Sequence, residues 1–205
     1  MKRKLLIIGA GGHGKVIADI ALKMCKWEII EFLDDNQNLT NSLGLRIIGK
    51  TTEFIDYIDE YDFFVAIGDN KIRKEKQERL EKAGASIPKL IHPSAQIAEE
   101  VSIGYGTAVM AGVIINSSTN IGKGCIINTG STIDHDNHIH DFVHVSPGSN
   151  LAGNVEVGEE CWLGIGCTLI NNIKITKGSI IGAGSVVVKH IHEKGVYIGI
   201  PAEKR

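Results

Sequence analysis

The stretch Ile121-Gly122-Lys123-Gly124-Cys125-Ile126-Ile127-Asn128-Thr129-Gly130-Ser131-Thr132-Ile133-Asp134-His135-Asp136-Asn137-His138-Ile139 carries an aliphatic residue at every sixth position. Followed outward in both directions, the beat runs without a slip from Ile91 to Val187, seventeen consecutive positions of Ile, Leu or Val. An α-helix repeats at 3.6 residues and a strand at 2, so neither produces a six-residue beat. A chain coiling in three flat faces of six residues does, because each face must turn one aliphatic side chain into the core. The spacing therefore predicts a parallel β-helix of between five and six eighteen-residue coils, ending near His192.

The frame also assigns the cysteines. Cys125, Cys161 and Cys167 each fall four residues after a beat residue, a slot that elsewhere holds Ala95, Thr107, Thr119, Ser131, Ser149, Ser179 and Ser185. A tight corner packed on the core accepts small side chains, and free cysteine behaves as one. The cysteines read as structural, with neither disulfide nor metal required.

Before the beat the sequence changes character. Leu5–Ile8 is a short apolar run closed by Gly9, as in a strand buried on both faces. Val16, Ile17, Ile20, Ala21 and Met24 have helical spacing over His13–Cys25. Residues 28–33 and 63–67 read as a second and third strand, and 71–83 as a charged surface helix with Ile72 and Leu80, closed by Gly84. Alternating β and α segments imply a parallel sheet with right-handed crossovers. With Pro88 marking the joint, the expected division is residues 1–86, an α/β half-Rossmann domain, and residues 87–205, the β-helix with a short closing segment at Val196–Ala202.

A formal charge of −2 over 205 residues argues against nucleic acid as a partner. No apolar run is long enough to span a bilayer, so membrane insertion is not expected. Met1-Lys2-Arg3-Lys4 resembles the start of a signal peptide, but glycines interrupt the apolar stretch after four residues. A buried strand is the better reading, and a cytoplasmic location is expected.

Two stretches carry chemistry. Gly9-Ala10-Gly11-Gly12-His13-Gly14 satisfies G-x-G-x-x-G between a strand and a helix, where backbone N–H groups and the helix dipole receive a phosphate. Asp34 and Asp35 end the second strand and Gly68-Asp69-Asn70 the third, on the same sheet edge. Three such ends favour a nucleotide-containing ligand over a packing turn. With about 85 residues available, one mononucleotide half fits better than a dinucleotide fold. His13 is either a donor to that ligand or an exposed loop histidine.

The second stretch is Asp134-His135-Asp136-Asn137-His138-Ile139-His140-Asp141-Phe142-Val143-His144. A metal site is disfavoured because His138 and His144 fall on successive faces and diverge within one chain, so that its ligands would have to gather with those of a neighbouring chain at a subunit interface. A histidine flanked by carboxylates suits a general base. Gly153 follows His135 by eighteen residues and leaves open space at the same azimuth. For His138 and His140 a solvent-facing strip is the better reading. For His135 and His144 the strip and a catalytic role both stand.

Taken together, these motifs, with Phe142-Val143-His144, Ala152-Gly153-Asn154-Val155 and Gly199-Ile200-Pro201-Ala202, resemble the hexapeptide-repeat acyltransferases. More narrowly, the chain is similar to the branch of nucleotide-sugar N-acetyltransferases and sialic acid O-acetyltransferases. The resemblance implies a left-handed helix, a homotrimer with sites between neighbouring prisms, and acetyl-CoA as cosubstrate. It implies His135 as general base with Asp136 beside it, although relatives also carry Glu at the latter position. His144, Gly153, Ile165 and Ala183 match positions around acetyl-CoA, while Gly11, Gly12, His13, Asp34, Asp35 and Gly68 match positions around the nucleotide. The implied reaction is direct acetyl transfer to the 4-amino group of a nucleotide-linked sugar, with UDP expected, for surface-glycan synthesis. Acetylation of a sialic acid hydroxyl and a non-catalytic nucleotide-sugar-binding scaffold are the alternatives.

Overall fold

The computed structural model describes residues 4–205, which separate into two compact units dividing between Pro93 and Ser94. The basic start read at Met1-Lys2-Arg3 lies outside the described residues.

In the first unit, β1 (Lys4–Ile8), α1 (Gly12–Met24) and β2 (Ile29–Leu33) are followed by a short hairpin, β3 (Asn41–Ser42) and β4 (Leu45–Gly49). A 3-10 helix at Thr51–Tyr57 leads to β5 (Tyr61–Val65) and α2 (Asn70–Lys82). The strand order is β3-β4-β2-β1-β5, parallel except for β3. Leu5, Leu6, Ile7, Phe32, Leu33 and Phe63 are fully buried, which explains why β1, β2 and β5 read as unbroken apolar runs.

Both helices depart in detail from the expected faces. On α1, Ala18 is buried with Ile17, Ile20 and Ala21, whereas Val16 is exposed. On α2 the inward face is Arg73, Gln77 and Leu80, and Ile72 points outward. Asp69 caps α2, its carboxylate accepting the N–H groups of Lys71 and Ile72 at 3.0 and 2.9 Å. Gly84 closes the helix at φ +77°, as its sequence position suggested. Beyond it, Ser86 O accepts Phe63 N–H at 2.8 Å and Ile87 packs on the core, so this segment is held by the first unit.

The second unit is the left-handed parallel β-helix. Its first wall stacks Gln96–Ile97, Ile114–Ile115, Thr132–Ile133, Asn150–Leu151, Thr168–Leu169 and Val186–Val187. The second stacks five rungs from Ser102–Ile103 to Lys174–Ile175, and the third includes Ile126–Ile127, His144–Val145, Trp162–Leu163 and Ile180–Ile181. Partners lie eighteen residues apart, as in Thr132↔Asn150 and His138↔Glu156. Every beat residue from Val109 to Val187 is buried; Ile97, in the first coil, is 36% exposed. The closing segment keeps to the stack at a shorter interval: Val196 pairs with Ile180, and Val196–Ile198 folds back against Glu203–Lys204.

A second six-residue beat runs through the corners. Positions 100, 106, 112 and onward to 184 all have a left-handed φ, filled by eight glycines and by Glu100, Ser118, Asp136, Phe142, Asn154, Glu160 and Asn172. The inner corner slot holds more than small residues. Five of its donors bond the carbonyl fifteen residues on: Thr107 to Gly122 O, Thr119 to Asp134 O, Cys125 to His140 O, Ser149 to Gly164 O and Cys161 to Thr176 O; Ser131 instead donates to Asn128 O. These side chains rivet one coil to the next where the backbone turns away from strand pairing.

Candidate active site

His135 and Asp136 occupy the corner between the first and second walls. Asp136 sits at a left-handed φ of 57°, with its N–H bonded to Ser117 O at 3.1 Å. Its Oδ2 lies 2.8 Å from His135 Nδ1. An ionised carboxylate only accepts, so Nδ1 carries the proton and Nε2 presents its lone pair. The hydrogen bond to Asp136, with the charges of Asp134 and Asp136, raises the His135 pKa above its ordinary value. Asp134 Oδ1 accepts Asn116 Nδ2 at 2.8 Å and His135 N–H at 2.9 Å, and the first of these bonds leads in holding its carboxyl below the usual range.

The frame placed Gly153 over His135 and left open space there for a ligand; the azimuth holds, but the His135 imidazole itself fills that space. A Cβ on Gly153 would stand 2.5 Å from His135 Cε1 and 2.6 Å from Nε2. Glycine is therefore a steric requirement of this ring position. An open groove of about 400 Å³ runs along the first wall past Asn116, Thr132, Asp134 and Asn150 to this corner.

His144 lies elsewhere on the prism, on the third wall, and is nearly buried. Trp162, its register partner one coil on, stacks on it at 5.2 Å with an interplanar angle of 19°. Trp162 Nε1 donates to Ser146 Oγ at 2.9 Å, and Asn128 Nδ2 lies 3.2 Å from His144 Nε2. Ile165, 62% exposed, and Ala183 line up one coil apart at the corner between the third and first walls. The candidate residues thus form two groups, His135 with Asp136 and Gly153, and His144 with Ile165 and Ala183, on different parts of the prism.

His138 and His140 stand on the second wall, where His140 Nε2 is 3.4 Å from Glu156 and Glu156 pairs with Lys174 at 2.9 Å. Among the described residues no group of three His, Cys, Asp or Glu side chains is arranged to hold a metal. Burial pushes the Cys161 and Cys167 thiols up to about 11, which suits corner rivets and disfavours nucleophiles.

In the first unit three loops meet at the carboxyl ends of β1, β2 and β5. Asp34 Oδ2 accepts Ala10 N–H at 2.7 Å and Oδ1 accepts Asn36 N–H at 2.8 Å. Asp35 accepts both the N–H and the hydroxyl of Thr51. Burial works to raise its pKa, but the Thr51 bonds, Lys76 and Lys50 outweigh that and hold it below the usual range. Each carboxylate therefore orders neighbouring chain while keeping lone pairs for a further donor.

Gly14 lets α1 approach β1, since a Cβ there would lie 2.1 Å from Gly9 O. Around Gly11, Gly12 and Gly68 the space is open, and no side chain caps the start of α1. His13 is largely buried. Burial, reinforced by the Arg73 charge, lowers its pKa to about 4, and its Nε2 has no hydrogen-bond partner among the described residues. A neutral imidazole with an unmatched buried nitrogen beside free helix N–H groups suits a ligand with phosphate or sugar oxygens. Arg73, fully buried, donates to Ile67 O, Gly68 O and Asn70 Oδ1 and so fixes the loop after β5.

Sequence reasoning passed over Asn116, Asn128, Asn137, Trp162 and Arg73. The frame could have found Trp162, eighteen residues after His144. Nothing in the charged pattern of α2 marks Arg73 as buried.

The family model described as the PglD N-terminal domain matches residues 4–80. The chain is similar to the UDP-N-acetylbacillosamine N-acetyltransferase of Bacillus subtilis (strain 168), 38% identical over 112 residues. That match covers 53% of this chain and 52% of the other, so the matched stretch spans about half the length of that curated relative. The acetyltransferase domain of PglB from Neisseria gonorrhoeae FA1090, solved with acetyl coenzyme A, superposes with a TM-score of 0.97. It is 37% identical, with both chains wholly covered. PerB from Caulobacter crescentus, solved with CoA and GDP-perosamine, is 36% identical with a TM-score of 0.93, covering 98% of this chain and 97% of PerB.

Proposed function

The chain belongs to the left-handed β-helix acetyltransferases with a PglD N-terminal domain, and from that premise we propose that it acetylates the 4-amino group of a nucleotide-linked sugar, using acetyl-CoA. The observation that carries this reading is the His135 imidazole, pinned by Asp136 through Nδ1 and laid over Gly153 with Nε2 free to take a proton. Relatives solved with acetyl coenzyme A, or with CoA and GDP-perosamine, support both substrates.

The sugar amine attacks the thioester carbonyl while His135 Nε2 removes a proton from the attacking nitrogen. Asp136 stabilises the imidazolium so formed. The tetrahedral adduct collapses, the C–S bond breaks, and the proton passes from His135 to the departing sulfur. The products are an N-acetyl sugar and CoA. No covalent enzyme intermediate is needed, which agrees with the buried, high-pKa cysteines.

His144, Ile165 and Ala183, with Gly153, hold the acetyl-CoA arm. Gly11, Gly12 and the start of α1 take the pyrophosphate, with His13, Asp34, Asp35 and Gly68 around the nucleotide. The two groups of cofactor-side residues sit on different parts of one prism, which supports a homotrimer in which His135 of one subunit faces the His144 wall of the next. UDP is our choice of nucleotide. No helix of the described residues is long and apolar enough to cross a membrane; the cytoplasm is the assigned location because acetyl-CoA and nucleotide sugars are found there.

The deciding experiment follows CoA release from acetyl-CoA with UDP-4-amino, GDP-4-amino and sialic acid acceptors. Turnover fastest with the UDP-4-amino sugar is the expected result. Preference for GDP would correct the nucleotide, and transfer to a sialic acid hydroxyl alone would overturn the N-acetyltransferase reading.

A further inference from the structure

We propose that Asn137 is a positioning residue that holds the His135 ring in place over Gly153; this rests on the reading of His135 as the base. Asn137 occupies the inner corner slot four residues after Ile133 and is 1% exposed. The same slot holds Thr119, Cys125, Ser131, Val143, Ser149 and Val155 in neighbouring corners. Thr119 donates to Asp134 O and accepts Asn137 N–H, Ser131 donates to Asn128 O and Ser149 to Gly164 O, while a valine side chain has no polar atom to bond.

Asn137 does more. Its Nδ2 makes the ordinary rivet to Ala152 O at 2.9 Å. It also reaches back to Asp134 O at 2.7 Å and His135 O at 3.3 Å, and its Oδ1 accepts Val155 N–H at 3.2 Å. One planar amide therefore joins the backbone on both sides of His135 to residues on both sides of Gly153. The His135 side chain is 59% exposed. Its position depends on the turn beneath it and on the hydrogen bond to Asp136. The corner is closed further by Asn116 on Asp134 and by Asp136 N–H on Ser117 O. Asn137 is the side chain of this network that bonds both the coil of His135 and the coil of Gly153, beside the backbone bonds from Asp134 N–H to Leu151 O and from Asn154 N–H to His135 O.

The slot itself supplies the test. Asn137→Ser leaves one donor hydrogen, which can go to Ala152 O, as that of Ser149 goes to Gly164 O, or to Asp134 O, as that of Ser131 goes to Asn128 O, but not to both. Asn137→Val removes every bond while keeping a side chain the slot holds at 143 and 155. Crystal structures of both variants, their melting temperatures, and kcat and KM with acetyl-CoA and a UDP-4-amino sugar are measured beside His135→Ala. In Asn137→Ser the melting temperature should stay within about 3 °C of wild type. Its kcat should fall about tenfold with both KM values within about twofold, and the His135 ring should leave its place over Gly153. Asn137→Val should lose the same activity and melt lower. An unmoved ring in Asn137→Ser, or a kcat loss that Ser restores along with the melting temperature, overturns the proposal. Undiminished turnover by His135→Ala sinks the base assignment instead, and the crystallographic comparison still decides whether Asn137 holds the ring.

Discussion

Along the β-helix a residue's place follows from its number, whereas in the α/β unit it follows from which loops the sheet brings together. Positions six apart repeat an environment and positions eighteen apart touch, so His135 meets Gly153 and His144 meets Trp162 by counting alone. No such rule links Ala10 to Asp34 and Ser42, or Asp35 to Thr51. The difference assigns two kinds of work. A repetitive wall gives rigid, evenly spaced places for chemistry, and a convergence of loops gives a concave surface for recognition. Variants in the two units should therefore fail differently, one set in turnover and the other in binding.

The largest expected effect is that of His135→Ala. Loss of a general base costs about 10²–10⁴-fold in kcat, while affinity for the nucleotide should not change, because the residues assigned to it lie in the first unit. Stopped turnover with wild-type binding of UDP by calorimetry would uphold the division of labour. Parallel losses of both would break it.

Gly153→Ala should follow. The added methyl would fall within 2.6 Å of two His135 ring atoms, so the imidazole must move. A shift of about 1 Å at a reacting group costs up to about 100-fold, and kcat measured against melting temperature would show whether activity falls without stability. This glycine tests how far counting reaches. The beat of aliphatic residues disclosed the walls, the core and the apposition of His135 with Gly153. It did not disclose the left-handed corners, because Glu100, Phe142 and Asn154 fill that slot alongside glycines and share no side-chain chemistry. Nor did it disclose Asn137, whose slot was legible but whose several hydrogen bonds depend on carbonyl positions that only the folded corner defines.

In the first unit less was legible. β1, β2 and β5 announced themselves as apolar runs because both their faces are buried. β4 did not, since Leu45, Ile47, Ile48 and Gly49 are only half-buried and its pairing with β2 shifts register after Phe32. Arg73 was hidden in a helix that reads as solvated. Asp34 was found for its place at a strand end, yet in the structure it also fastens the glycine loop through Ala10. Asp34→Ala should raise the nucleotide-sugar KM about tenfold, the scale of one charge-assisted hydrogen bond, and leave kcat within about twofold. A kcat loss without a KM change would blur the comparison between the units.

Asp136→Asn should give the smallest effect and the most diagnostic one. The base must be neutral to accept a proton, so kcat/KM falls as pH drops through the His135 pKa. Asp136 raises that pKa by stabilising the imidazolium, chiefly through its hydrogen bond to Nδ1. Replacing the carboxylate with an amide removes that stabilisation, so the acidic limb of the profile should move to lower pH. At the alkaline plateau the rate should fall only about severalfold, because a weaker base drives proton transfer less well. A profile of kcat/KM from pH 5 to 9 reads both effects. An acidic limb that stays where it is in wild type would mean that another group governs it, and that Asp136 orients the ring without setting its basicity.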